Sequence, residues 1–106
     1  MKSFLLIGMG SFGHHLCRAL TDQKCEVMAV DQNSETLEDI LPLVVSAKVG
    51  DCTNEEVLRS FSVDSFDACF VCLGDSNVLG SLQITSLLKE LGAKKVIARA
   101  SRGVQE

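Results

Sequence analysis

The hexapeptide Gly8-Met9-Gly10-Ser11-Phe12-Gly13 constrains this chain more than any other segment. It follows an apolar run, Ser3 to Ile7, that reads as a short buried strand. It opens a stretch, Ser11 to Thr21, in which Phe12, Leu16, Ala19 and Leu20 recur at helical spacing. Glycines at these three positions between strand and helix have separate jobs. Gly8 permits the tight turn, Gly10 lets the backbone approach a pyrophosphate, and Gly13 lets the helix pack closely on the strand. The helix start offers unpaired N–H groups and partial positive charge to an anion. A second apolar run, Glu26 to Val30, ends at Asp31, where the fingerprint expects an acid about 20 residues on. The Asp31 carboxylate can accept hydrogen bonds from both ribose hydroxyls and repels a 2′-phosphate. NAD, ATP, ADP or AMP is therefore preferred over NADP. The competing reading has Asp31 only capping the next turn through Asn33.

The remaining chain alternates short apolar runs with helical stretches, the pattern of a parallel sheet covered by helices. Asn33 or Ser34 caps a short helix through Leu41, with Glu35 in its first turn. Leu43 to Val49 reads as a third strand ended by Gly50-Asp51, and Asn54 as the cap of a helix from Glu55 to Phe61. Ala68 to Leu73 is a fourth strand. Ser76 or Asn77 starts a helix to Leu91, stopped by Gly92, and Lys95 to Arg99 is a fifth strand. Five strands with four intervening helices make an α/β, Rossmann-like, doubly wound parallel sheet the economical topology. The sixth strand usual in that fold is missing, so the expectation is the N-terminal piece of a longer protein.

Bulk properties bound the function. A chain of 106 residues holds one compact domain, 1–106. A net charge of −4 and a pI near 5.1 argue against a broad nucleic-acid footprint. No stretch approaches the roughly 18 uninterrupted apolar residues of a membrane span, and the N-terminal apolar run is too short for a signal peptide. A cytoplasmic location without membrane insertion is expected. Cys17, Cys25, Cys52, Cys69 and Cys72 are odd in number, which does not suggest a disulfide framework.

Several smaller features admit two readings. Asp51 could meet the exocyclic amine of an adenine, or cap the helix that follows. Gly74-Asp75, across the switch point, could bind ribose, metal or nothing. His14 and His15 open the first helix, as phosphate contacts or as solvated side chains, and have no metal-ligand spacing around them. Cys69-Phe70-Val71-Cys72 spells C-x-x-C inside a strand, where residues three apart face opposite ways, so both read as buried small residues. No nucleophile, base and orienting acid stand at recognisable spacing, and no catalytic activity is expected. Val78, Leu79, Leu82, Ile84, Leu87, Leu88 and Leu91 cover more than half of the last helix. That exceeds what one sheet face needs and points to another subunit or a further part of the chain, the competing reading being a helix buried by its own domain.

Taken together, Gly8 to Gly13, V-M-A-V-D at Val27 to Asp31, G-D-C-T-N-E-E-V-L at Gly50 to Leu58, Phe66-Asp67-Ala68, Gly74-Asp75 and V-I-A-R-A at Val96 to Ala100 resemble the regulator-of-potassium-conductance family. The match is to its Trk/Ktr-type N-terminal nucleotide-binding domain and runs over nearly the whole chain. The resemblance implies a cytosolic subunit that forms homodimers and ring-like homo-oligomers beneath a membrane potassium transporter or channel. Binding of ATP, ADP, NAD or NADH would change the ring and so the pore. Carried over residue by residue, Gly8, Met9, Gly10, Ser11, Phe12 and Gly13 would bind phosphates, and Asp31 with its neighbour Gln32 the ribose. Asp51 and Cys52 would line the adenine pocket, Gly74 and Asp75 would lie at the phosphate or second-ribose side, and Arg99 near the cleft. Ser11 departs from the pattern. Many ATP-responsive members carry there an arginine that reaches the terminal phosphate, so NAD, ADP or AMP stays open. A start at Met1 favours a separate regulatory subunit over a channel's own tail. The alternatives are the cofactor domain of an NAD-dependent oxidoreductase and a regulatory domain of a cation–proton antiporter.

Overall fold

In a computed structural model, residues 1–74 and 77–98 of the chain are described. Five parallel strands form one sheet: β1 (Ser3–Ile7), β2 (Glu26–Asp31), β3 (Ser46–Val49), β4 (Ala68–Val71) and β5 (Val96–Ala98), in the order β3-β2-β1-β4-β5. Parallel neighbours need long crossovers, and helical segments supply them. Helix α1 (Ser11–Asp22) joins β1 to β2, and a 3₁₀ segment (Ser34–Ile40) joins β2 to β3. Helix α2 (Glu55–Arg59) and a 3₁₀ turn (Val63–Ser65) lead to β4, and α3 (Val78–Glu90) leads to β5. The fold is the Rossmann-like doubly wound sheet expected from the sequence.

Alternation along the strands builds a core on each face of the sheet. Leu5 and Ile7 pack with Val30, Cys69 and Val71 under Leu58 of α2 and Ile84 and Leu88 of α3. Leu6 packs with Val27 and Ala29 against Cys17 of α1 and Leu37 and Ile40 of the first 3₁₀ segment. Both faces are covered, which is why the strands read as almost continuous apolar runs. β1 lies at the centre, with β2 on one side and β4 on the other, so the strand order reverses beside it. A ligand crevice belongs at the carboxyl ends of strands at such a point. The backbone continues the ladder into that end: Gly8 N–H donates to Val30 O at 2.8 Å, Cys72 N–H to Ile7 O at 2.7 Å and Gly50 N–H to Asp31 O at 3.0 Å.

Some elements differ from the sequence expectation. Residues 41–43 are a turn and β3 begins only at Ser46, although the Val45 N–H already donates to Val27 O of β2. The Leu43 N–H donates to Ile40 O, and Pro42, with no N–H of its own, cannot join a ladder. The segment after Asn33 is 3₁₀ rather than α. Helix α2 ends at Arg59, and its continuation tightens into bonds such as Phe61 N–H to Leu58 O. β4 stops at Val71, and β5 is described only from Val96 to Ala98; the expected Arg99 lies outside the described residues. On α1, Phe12 and Ala19 are exposed, whereas Gly13 and Cys17 are buried and Leu16 and Leu20 pack against the core. Asn33, Asn54 and Asn77 prove to be the capping residues, accepting from the N–H of Glu35, Glu56 and Gly80. Gly92, at φ +89°, ends α3 as expected.

Candidate functional site

A cavity of about 330 Å³ opens at the carboxyl end of the sheet, at the small end of the range for ligand pockets. Ile7 and Gly8 from the end of β1 and Val30 and Asp31 from the end of β2 form one wall, continued by Gln32 and Asn33. Gly50, Cys52 and Thr53 after β3 form a second, and Leu73, Asn77 and Ile84 close the third. Of the residues expected at a site, Gly8, Asp31, Gln32 and Cys52 line it.

The three loop glycines have different surroundings. Gly8 sits at φ +94°, a left-handed conformation that side chains rarely adopt, and a Cβ there would lie 3.1 Å from the Cys72 backbone. A Cβ on Gly13 would come within 2.3 Å of the Gly8 carbonyl oxygen, so α1 packs on the loop at glycine distance. Gly10 is unlike both, since a Cβ there would meet nothing within 4 Å. No packing demand of the described protein explains its missing side chain; open space stands where a ligand backbone or phosphate could approach. Gly10 is also the residue preceding α1. Gly10 has no side chain with which to cap that helix, and no acid stands in its first turn, although the first N–H groups of a helix lack intrahelical acceptors. α2, by contrast, is capped by Asn54 and carries Glu55 and Glu56. Ser11 and Phe12 are exposed at the start of α1. Met9 is fully buried in the α1-side core, so only its backbone faces the loop chemistry.

Asp31 ties this loop to β2. Its Oδ2 accepts the Met9 N–H at 2.7 Å and its Oδ1 the Asn33 N–H at 2.9 Å. Asp31 thus caps the following turn, and the same side chain stands in the cavity wall, where the ribose reading needs it. An ionised carboxylate has about four lone-pair sites, so two stay open to hydroxyl donors.

Asp51 does not line the cavity. It is exposed, and its Oδ1 accepts both the Thr53 hydroxyl at 2.7 Å and the Thr53 N–H at 3.0 Å. These two bonds, the hydroxyl's first, hold its carboxyl below the usual carboxylate range. Asn54, not Asp51, caps α2. Burial, followed by the charges of Asp51 and Asp31, pushes the Cys52 thiol up to about 12, so it faces the cavity as a neutral group.

Gly74 lies outside the cavity lining, and Asp75, like Arg99, lies outside the described residues. The Nδ1 atoms of His14 and His15 lie 2.9 Å from the carbonyl oxygens of Gly10 and Ser11, one turn back on their own helix. Cys69 and Cys72 are buried, as expected, and not joined in a disulfide; burial pushes Cys69 up to about 11, and its S–H reaches Val63 O. Among the described residues no group of His, Cys, Asp and Glu is placed to hold a metal, and no helix is long and apolar enough to cross a membrane. Sequence reasoning missed Thr53, Leu73 and Ile84 as cavity residues and gave Asn33 and Asn77 only as caps. Thr53 had a signal, since it sits inside the G-D-C-T segment; Leu73 and Ile84 read only as core.

An open glycine loop, an uncapped helix and an acid at the end of the next strand define a Rossmann-type domain of the nucleotide-site class. More narrowly, the chain belongs to the TrkA-N domain family, whose model matches residues 4–106. It is 34% identical over 105 residues to Ktr system potassium uptake protein C of Bacillus subtilis, covering 99% of this chain and 47% of that protein. It is likewise 34% identical over 100 residues to Ktr system potassium uptake protein A of Vibrio alginolyticus, covering 94% and 45%. The chain thus spans about half the length of these relatives. Among solved structures it resembles the NAD(P)-binding domain of an exopolyphosphatase-related protein from Archaeoglobus fulgidus, with TM-score 0.83 and 25% identity, over 100% of this chain and 78% of that one.

Proposed function

We propose that this domain binds an adenine nucleotide, either NAD(H) or one of ADP, ATP and AMP, and acts as the sensing part of a potassium-uptake regulator. The observation that carries the reading is the space at Gly10 beside the uncapped start of α1. Phosphate would lie there, against the backbone N–H groups and the positive end of the helix dipole. The open lone pairs of Asp31 would take the ribose hydroxyls, with Gln32 beside them, and Cys52 would face the base as an uncharged thiol. A 2′-phosphate would meet the Asp31 charge, which disfavours NADP. Gly74, Asp75 and Arg99 belong to the distal side of the same proposed site. The similarity to Ktr potassium uptake proteins supports the regulatory role. It supports a membrane potassium transporter as partner and a cytoplasmic position at the membrane's inner face. The role is a binding one rather than catalytic, and the protonated state of Cys52 is in keeping with that.

Sensing requires a nucleotide to favour one assembly state over another, and α3 offers a surface through which copies can meet. Val78, Leu79 and Leu82 are 45%, 69% and 63% exposed, and no charged residue lies between Val78 and Leu88. A two-fold interface sets one patch against the same patch of the other copy, so an uncharged apolar face suits self-association.

Calorimetric titration of the full-length protein with AMP, ADP, ATP and NAD tests the reading. Asp31→Ala is expected to weaken binding by at least about 1 kcal/mol, the scale of a lost hydrogen bond to a charged group. Unchanged affinity in that variant would remove Asp31 from the ribose, and no binding of any of the four would overturn the sensor reading.

A further inference from the structure

We infer that Asn77 couples occupancy of the cavity to the first turn of α3, and that position 80 is glycine because the Asn77 amide sits where a side chain would be. The inference deepens the nucleotide reading above and rests on it. Asn77 stands in the cavity wall, and its Oδ1 accepts the Gly80 N–H at 3.1 Å. Asn33 and Asn54 each cap by accepting from the residue two positions on, whereas Asn77 reaches three positions on. That reach lays its amide against residue 80. A Cβ there would lie 2.5 Å from Asn77 Oδ1, 2.9 Å from its Cγ and 3.0 Å from its Nδ2, and these are its three nearest atoms. Gly80 is buried within α3, where glycine costs stability relative to alanine. The seat for the amide is what the glycine gives in return.

The coupling follows from where the cap stands. Asn77 is exposed, so its bond to the Gly80 N–H competes with water and with the entropy of its own side chain. A ligand that fills the cavity packs against this residue, displaces water from it and confines it to the capping rotamer. The cap then holds more firmly, and by linkage a formed cap makes the ligand bind more tightly by the same factor. The turn so fixed carries Val78 and Leu79, 45% and 69% exposed, at the start of the apolar face of α3. Asn77 is on this account a positioning residue. Gly80 does not line the cavity; it acts only through the amide that it seats.

Amide hydrogen exchange and calorimetric titration with ADP test the inference in the full-length protein. In the wild type, saturating ADP is expected to slow exchange across residues 78–83 severalfold. Gly80→Ala puts a methyl group on the seat, and the flexible Asn77 side chain gives way. That variant is expected to bind ADP about fivefold more weakly, the scale of one lost cap, although residue 80 is not in the wall. In an Asn77→Ala background the seat is empty, so adding Gly80→Ala should lower ADP affinity no further and should raise the melting temperature, alanine being the better helix former. Asn77→Asp keeps an acceptor for the Gly80 N–H and should keep the wild-type exchange rate of this turn without ADP, whereas Asn77→Ala should raise it. Equal weakening by Gly80→Ala in both backgrounds, or none in either, would overturn the coupling. So would a wild type that binds ADP, with binding weakened by Asp31→Ala, but shows unchanged exchange at 78–83; the nucleotide reading would then stand alone. Should Gly80→Ala not fold, the wild-type exchange decides. Failure of AMP, ADP, ATP and NAD to bind at all would remove both.

Discussion

Gly10 and Gly13 belong to one hexapeptide, but the protein needs only one of them for its own packing. A methyl group on Gly13 would lie 2.3 Å from the Gly8 carbonyl oxygen, with the Met9 sulfur at 3.4 Å. That oxygen belongs to a loop fixed at Gly8 N–H to Val30 O and Met9 N–H to Asp31 Oδ2, so it has little room to yield. Gly13→Ala is therefore expected to destabilise the fold by about 1–3 kcal/mol, the usual cost of overpacking, measured by urea unfolding. Gly10→Ala meets open space and an extended backbone, so its stability loss should stay below about 1 kcal/mol, as for a changed N-cap. Its nucleotide affinity should nevertheless fall, because the methyl occupies the proposed phosphate approach. Equal stability losses in the two variants would contradict this division of roles. The sequence pattern already assigned close packing to Gly13, as the structure has it, and left Gly10 for an approaching ligand, where the structure has open space. It could not foresee Asp51, because the direction of that carboxylate depends on the hydroxyl two residues later, and a spacing rule does not encode a rotamer.

At the level of elements, α1 differs from α2, α3 and the first 3₁₀ segment in how it begins. Asn33, Asn54 and Asn77 close their helix starts with side-chain oxygens; α1 begins at Gly10 with none, and with no acid in the first turn. That start has no cap from its own N-cap residue. Ser11→Glu would fill it, adding about 0.3–1 kcal/mol of stability through the helix dipole. The same carboxylate would stand beside any bound phosphate. Like charges about 4 Å apart repel by about 4 kcal/mol at an effective dielectric of 20, so ADP affinity should drop by at least about tenfold. A melting curve and a titration of one protein would test both signs; tighter or unchanged ADP binding would move the phosphate away from α1. Strands, helices and caps were largely legible, because apolar runs and Asn or Gly punctuation follow directly from burial and backbone hydrogen bonding. The limits of β3 were not, since Leu43 to Val45 continue the apolar run, while the turn around Pro42 holds Leu43 to Ile40 and only Val45 N–H reaches β2 before the strand begins. The 3₁₀ turn at Val63 was missed for a related reason: the chain reverses through Ser62 at φ +55°, with no glycine to announce it.

Across the whole molecule, the cavity and the unpartnered face of α3 are parts of one arrangement. Ile84 lines the cavity and packs in the core, Asn77 caps α3 at the cavity edge, and Leu79 and Leu82 stand exposed on the same helix. A ligand that moves or stiffens the start of α3 would therefore act directly on the surface proposed for self-association, without a relay through the rest of the fold. The helical periodicity exposed this surplus of apolar residues but not which of them the sheet would cover, because that depends on how α3 rotates over β4 and β5. Leu82→Glu tests the surface. Its side chain is 63% exposed, so the substitution should leave the melting temperature of the fold almost unchanged, as surface changes usually do. In a two-fold interface it would bury a carboxylate from each copy in an apolar setting. Light scattering of the full-length protein after size-exclusion chromatography is expected to show an oligomer for the wild type and a smaller species for the variant, with AMP affinity per subunit retained. A variant that keeps the wild-type mass would place the self-association surface elsewhere. Loss of both assembly and nucleotide binding in a folded variant would instead show that the cavity is complete only in the oligomer.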